Sequence, residues 1–479
     1  MKSLAKNTLY NIIYKCLNLV FPLITAMYVS RTLLPVGIGR VSGAQNIVSY
    51  FIIIASLGIP TYGIKKIAEC GNNVAKRTTV FYELFVINLI STSICSIAYI
   101  LLIYIFPYFS DKTLLSLVVG IQLFANVINV DWFYQGVEEY RYIMLRSCIV
   151  KVFSLIAVFL FVKTENDFTT YALISSLSAV ANYFFNIFQI RKYIAPSRQR
   201  INACRHVKSV MILLAATIAI EIYTLADTTM LNFMKGAEIV GYYSSALKII
   251  AIIRMLVAAV CAVFLPKLSF YYSSGNIEEF RNLSKTGIGI LLTLACPSAI
   301  GACLLSRECI SLFFGEAFLG SVVTMSILSL SIITVALSNF MGYQVLVTIG
   351  KEKIVMYSTI FGACINVILN FVLIPQFAHN GAAVASVVTE FSVAIFQMIA
   401  VNKNGYRLVE SGIIKSVVIS TIVMGTTVVL VKLIVTNIYF RIILSILSGM
   451  VIYFTISILT KNPYVMSGIK LIEKKLQSI

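Results

Sequence analysis

Fourteen runs of about 20 apolar residues recur along this 479-residue chain. A helix rises about 1.5 Å per residue, so each run can cross the roughly 30 Å hydrocarbon core of a bilayer. The first six are Thr8–Val29, Gly43–Tyr62, Leu84–Phe106, Leu114–Tyr134, Leu145–Val162 and Tyr171–Ile190. The next six are Val210–Met230, Val240–Leu265, Gly287–Leu305, Val322–Val347, Val355–Ile374 and Ala382–Val401, and the last two are Ile413–Val435 and Ile442–Leu459. The composition is 59% hydrophobic and 12% charged, more apolar surface than a soluble fold of this length can enclose. An outer-membrane barrel would show short alternating strands instead. The fold class is an all-α polytopic membrane protein with about 14 transmembrane helices.

Two neighbouring runs carry charges where charge is costly. Glu221 and Asp227 lie in the seventh, Lys248 and Arg254 in the eighth, and Lys235-Gly236-Ala237-Glu238 is the expected turn between them. A hairpin about that turn sets Glu221 level with Arg254 and Asp227 level with Lys248, the two levels about 9 Å apart and turned by roughly 120°. A charge at mid-bilayer costs several kcal/mol unless it is paired or faces a wet cavity.

The net charge of +19 does not signify nucleic acid, because the basic residues cluster in short segments between apolar runs. That is the positive-inside pattern, and it puts both termini in the cytoplasm. Arg191–Lys208 is the most basic inner segment. The first run is broken by Asn11, Lys15 and Asn18 and lacks a small-residue cleavage site, so it is not read as a signal peptide. The ten cysteines are scattered without metal spacing and read as small core residues, among them Cys95, Cys261 and Cys364. His206 and His379 fall in expected loops and make no metal site. No nucleotide-binding or nucleophile motif is present and no loop is as long as a catalytic domain, so the chain reads as a secondary transporter without cofactor rather than an enzyme.

The two halves are weakly repeated. Gly39, Ser42 and Ala44 align with Gly241, Ser244 and Ala246 at an offset of 202. Pro60 matches Pro266, Gly136 and Glu138 match Gly350 and Glu352, and Ile187-Phe188-Gln189 echoes Ile395-Phe396-Gln397. Both halves start inside with six spans, so the repeat is parallel, with a site expected between the halves near the midplane. The expected domains are a six-helix lobe over 1–198, a cytoplasmic linker over 199–208, a second six-helix lobe over 209–404, and two further helices with a basic tail over 405–479.

Polar stripes interrupt the apolar runs at helical spacing. The first span has Asn11, Lys15, Asn18, Pro22 and Thr25, and the second Gln45, Asn46 and Ser49. The fourth has Gln122, Asn126 and Asn129, with Asp131 off that face. The seventh has Thr217, Glu221, Thr224 and Thr228, and the twelfth Ser386, Glu390 and Gln397. Single stripes can bond helix to helix. Stripes in both halves, several of them charged, favour a shared wet cavity.

Three segments carry a family resemblance: Arg31 to Gly39; Asp131-Trp132-Phe133-Tyr134-Gln135-Gly136 with Glu139 and Tyr140; and Asp227 to Lys248, including Gly241-Tyr242-Tyr243-Ser244-Ser245-Ala246-Leu247-Lys248. The chain resembles the Wzx-type polysaccharide repeat-unit flippases of O-antigen and capsule pathways, within the multidrug/oligosaccharidyl-lipid/polysaccharide exporter superfamily. Leu34 stands where that family usually has glycine in Leu-Gly-Pro. The resemblance implies a cationic cavity between two six-helix lobes in the bacterial cytoplasmic membrane. It implies an undecaprenyl-diphosphate-linked oligosaccharide as substrate, carried from the inner to the outer leaflet, with H+ or Na+ as coupling ion. Membrane lipids and the polymerase and chain-length proteins of the same pathway are the expected partners. Arg or Lys can grip a diphosphate through charge-assisted hydrogen bonds, which singles out Arg254, Lys248 and Lys15, with Arg31 and Arg40 at the outer mouth. Asn11, Asn18, Gln45, Asn46, Asn126 and Gln397 would face the glycan. Glu221, Asp227, Glu390 and Asp131 are the candidates for ion coupling. A multidrug exporter of the same superfamily would want acids and few cations in its cavity. A peptidoglycan or teichoic-acid precursor exporter shares the lipid-diphosphate chemistry and stays open as an alternative.

Overall fold

The computed structural model describes residues 4–195, 201–406, 408 and 411–467. It divides into two compact units, Met1–Gly241 and Tyr242–Ile479. The first holds α1 (Leu4–Ser56), α2 (Ile59–Ala68), α3 (Val74–Ile105), α4 (Thr113–Phe124), α5 (Asp131–Gly136), α6 (Tyr140–Phe161), α7 (Phe168–Ile190) and α8 (Cys204–Met234). Next comes α9 (Ala237–Ser273), whose first turn belongs to the first unit. The second unit continues with α10 (Ile277–Leu304), α11 (Ser306–Phe314), α12 (Ser321–Ser329), α13 (Ser331–Asn339), α14 (Glu352–Lys403), α15 (Ser411–Ile434) and α16 (Ile438–Leu459). The described residues contain no strand.

Among the described residues, eleven helical segments are long and apolar enough to cross a membrane. The protein is therefore a multi-pass membrane protein. Two of the eleven each contain two of the expected spans, because helix runs through the connection. In α1 the segment after the first span is itself helical, broken only at Leu34 (φ 58°, ψ 176°). In α14 the break is at Ala378 (φ 47°, ψ −127°), three residues after Pro375. Pro35 disfavours helical geometry at the residue before it, which places the first break. The seventh expected span is α8. The expected turn shortens to Lys235-Gly236, since α9 already begins at Ala237.

Helix ends follow local chemistry. Asn73 caps α3 by accepting from the Lys76 amide at 2.9 Å, and Asn437 caps α16 through the Tyr439 and Phe440 amides. The first unit packs around Trp132, Phe133 and Tyr134, which lie on Ile59, Ile67 and Phe81. In lipid such contacts contribute dispersion and fit rather than release of water.

Gly39 and Gly241 mark a close backbone approach. A Cβ on Gly39 would fall 1.6 Å from the Ala237 carbonyl oxygen, and one on Gly241 would fall 2.1 Å from the Pro35 carbonyl oxygen. Pro35 and Ala237 have the same offset of 202 as the two glycines. The two copies of the repeated motif thus cross reciprocally, as an isologous contact does.

At the start of α8, the buried Glu83 carboxylate accepts from the Asn202 amide at 2.9 Å and sits 2.9 Å from His206 Nε2, with Arg205 on the same oxygen. His206 Nδ1 lies 2.8 Å from the Tyr62 hydroxyl. His206 was expected in a loop; instead the first turn of α8 carries it into this network. His379, also expected in a loop, lies within α14 just past its break and donates from Nε2 to the Gly320 carbonyl at 3.0 Å. In the second unit the α15–α16 hairpin is fastened by Glu308, whose buried carboxylate meets Lys432 at 3.1 Å and Arg441 at 3.4 Å. Of the cysteines expected in the core, Cys95 and Cys261 are buried. Cys364 is exposed on α14, the helix whose Phe361 and Ile368 also face outward.

Candidate functional site

The first unit encloses a polar cavity of about 520 Å³. It lies between both parts of α1, α4, α6 and α7, with Asp131 reaching in from α5. Helix α6 shows how one sequence serves two solvents. Val152, Phe153, Ile156 and Leu160 are exposed on one face, a lipid-facing set. Arg146, Ser147, Lys151, Ser154 and Val158 line the cavity from the other face.

A fixed network organises one wall. Arg146, 5% exposed, donates from Nη2 to Asp131 at 3.0 Å and from Nε to Asn182 Oδ1 at 3.2 Å, and its Nη1 meets Asn186 Oδ1. Asn186 also donates to Asp131 at 2.6 Å, while Tyr134 donates to the Asn186 carbonyl at 2.5 Å. The guanidinium sits 5.6 Å from the Tyr142 ring centroid. Arg146 and Asp131 therefore neutralise each other. Elsewhere along α7 Gln45 donates to Ser175 at 3.4 Å and Gln122 to Ser176 at 3.1 Å. Amides and hydroxyls in this density suit a ligand rich in hydroxyl groups.

Lys151 differs from Arg146. It stands midway along the 22-residue α6. It makes no hydrogen bond and no ion pair among the described residues.

The residues singled out in the sequence fall in different places. Gln45 and Asp131 line this cavity, together with Pro22, Thr25, Ser49 and Gln122. The expectation that Asp131 lies off the Gln122 face assumed one continuous helix. The chain leaves α4 through a 3-10 turn over Ala125–Ile128, which returns Asp131 to the cavity. Asn126 instead is 1% exposed and bonded to Asn88 and Thr92, a helix-packing role. Asn46 donates to Thr229 at 2.6 Å, and the buried Asp227 lies on the same helix as Thr229. Glu221 accepts from Thr224 at 3.1 Å. Arg40 lies 4.9 Å from the Phe168 ring centroid, and Arg31 is exposed. The side chains of Asn11, Lys15 and Asn18 lie outside the described residues.

In the second unit Arg254 donates from Nε to Ser331 Oγ at 3.2 Å. Lys248 has no ion pair or hydrogen bond among the described residues. Glu390 and Gln397 are buried on α14, and Gln397 donates to Ser358 at 3.0 Å. A separate cavity of about 490 Å³ between α9, α10, α15 and α16 is almost wholly apolar, lined by residues such as Ile253, Leu256, Met424 and Tyr453. Arg146 and Lys151 were missed in the sequence, although Arg146, Lys151 and Ser154 recur on one face of an otherwise apolar run.

The fold is shared with solved membrane transporters. A structure titled lipid II flippase MurJ, inward closed conformation, superposes with a TM-score of 0.76 at 16% identity, over 94% of this chain and 98% of that one. An inward-facing multidrug resistance transporter of the MATE family in the MOP superfamily superposes with a TM-score of 0.64 at 16% identity, over 80% and 93%. The fold is thus that of polytopic membrane transporters. A family model described as polysaccharide biosynthesis protein matches residues 4–271, more than half of the chain, and one described as MatE matches residues 212–372. The chain belongs to the polysaccharide biosynthesis protein family. A relative from Escherichia coli strain K12 named for O-antigen transport is 23% identical over 84% of this chain and 97% of its own length. The capsular polysaccharide biosynthesis protein CapF of Staphylococcus aureus is 25% identical over 60% of this chain and 73% of its own length.

Proposed function

We propose that this protein is a flippase for undecaprenyl-diphosphate-linked oligosaccharide repeat units. It moves them from the inner to the outer leaflet of the bacterial cytoplasmic membrane during O-antigen or capsule synthesis. The observation that carries this reading is the cavity in the first unit, polar enough to solvate sugar hydroxyls inside a membrane-spanning bundle. Amide and hydroxyl side chains replace water around the glycan, so the headgroup crosses without a bare hydrocarbon barrier. Arg254 and Lys248 supply positive charge for the diphosphate, with Lys15 at the inner end and Arg31 and Arg40 at the outer mouth. The apolar cavity by α15 and α16 has the chemistry of a resting place for part of the prenyl chain.

In this reading two six-helix lobes over 1–198 and 209–404 are joined at 199–208. Both termini are cytoplasmic, and an H+ or Na+ gradient drives the cycle through Glu221, Asp227 or Glu390. Asp131 is the least suited of the acids, since Arg146 already holds it. The polymerase and chain-length proteins of the pathway are partners. Deleting the gene should abolish surface polysaccharide and leave lipid-linked repeat units on the inner leaflet. Normal surface polysaccharide in the deletion strain would overturn the proposal.

A further inference from the structure

We infer that Lys151 recognises a singly charged acidic group on the carried glycan, so that the protein is built for an acidic repeat unit. This rests on the flippase reading and names the substrate class of its cavity. An ammonium at mid-bilayer is costly unless something compensates it. Among the described lining residues the one carboxylate is Asp131, and Arg146 with Asn186 already occupies it at 3.0 and 2.6 Å. The lining residues Tyr14, Tyr171 and Tyr183 are neutral, and Gln45, Gln122, Ser154 and Asn182 carry no charge. Among the described lining residues the cavity therefore holds one positive charge without an ion-pair partner, beside a sugar-like set of hydrogen-bonding groups. The complement is an oxyanion that arrives with the ligand. A substrate of this class offers two, a carboxylate on a sugar and the linking diphosphate. A diphosphate carries at least two charges and calls for more than one free cation, whereas a uronate matches the single charge of Lys151. The ammonium, with three rotatable donors, meets a carboxylate in more than one orientation.

The test uses the full-length protein in proteoliposomes with three undecaprenyl-diphosphate probes. One carries a repeat unit with a glucuronate, one the same unit with glucose in its place, and one no glycan. Wild type should move the glucuronate probe at least about tenfold better than the glucose probe, the scale of one charge-assisted hydrogen bond. Lys151→Gln should erase that preference by lowering glucuronate-probe transport to the rate of the glucose probe, and Lys151→Arg should keep it. If Lys151→Gln fails to reach the membrane, Lys151→Met removes the charge at similar length and must give the same loss. An equal loss for all three probes would assign Lys151 to the diphosphate or to the fold and overturn the inference. Transport of both glycan probes without preference in wild type would overturn it and leave the flippase reading standing. Transport of neither would overturn both.

Discussion

Leu34 holds φ 58° and ψ 176°, a region that glycine alone enters freely. The resembled family's usual glycine at this position now has a physical reason, and the leucine here stores strain of about 1–3 kcal/mol. Leu34→Gly should raise the thermal midpoint of the purified protein in detergent, with an expected gain of about 1 kcal/mol after the entropy cost of glycine. A lower midpoint would show that Leu34 packing outweighs its backbone strain. Arg254 allows a similar separation of roles. Lysine keeps its charge but loses the planar fork that grips two phosphate oxygens. Arg254→Lys should reduce transport more than tenfold at near-normal protein level, whereas Ser331→Ala, which removes only its partner hydroxyl, should change transport less than threefold. Equal defects in the two variants would make Arg254 a strut to α13. Charged residues at this scale were only partly legible in the sequence. Arg146 and Lys151 stand close after Arg141, so a positive-inside reading merges them with the basic inner segment. Asp131 seemed misplaced because the break between α4 and α5 contains no proline or glycine to announce it.

The elements were easier to read than their ends. Apolar periodicity marked every long helix. Helical conformation through the Arg31–Ser42 connection was hidden, since proline and polar residues there resemble a loop. The repeat was legible as isolated matches, and its meaning lies in the crossing of Pro35 and Gly39 with Ala237 and Gly241. Gly39→Ala and Gly241→Ala should each destabilise the protein by at least about 2 kcal/mol, because the new methyl meets a backbone carbonyl that cannot step aside. Gly301, with open space around its Cβ position and no left-handed backbone, is the control. Wild-type thermal stability for Gly39→Ala would contradict the close crossing. The α15–α16 hairpin depends on Glu308. Glu308→Ala leaves Lys432 and Arg441, each about one-quarter exposed, without their acid. The expected cost is about 1–3 kcal/mol, reduced by the water both cations can still reach, and limited proteolysis should cut between α14 and α15 first. Unchanged protease resistance would remove Glu308 as the fastener.

For the whole molecule, hydropathy alone fixed the fold class, because a bilayer admits few architectures. The inventory of polar residues was legible too. Their assembly was not, since which stripes share a cavity depends on helix rotation and on breaks such as those at Leu34 and Ala378. The basic bias predicts the orientation: tags at Lys76, Arg198, Lys351 and Lys474 should report the cytoplasm, and tags at Lys112, Lys163 and His379 the outside. An outside signal at Arg198 would break the two-lobe proposal. The most direct test of the central claim is translocation by the purified protein itself. Proteoliposomes would be loaded asymmetrically with an undecaprenyl-diphosphate-linked oligosaccharide, and its appearance on the other leaflet followed with a membrane-impermeant sugar-oxidising enzyme. The account predicts protein-dependent appearance that responds to an imposed ion gradient and fails to respond to cationic drugs. Rates no higher than in protein-free vesicles, or competition by cationic drugs, would contradict it.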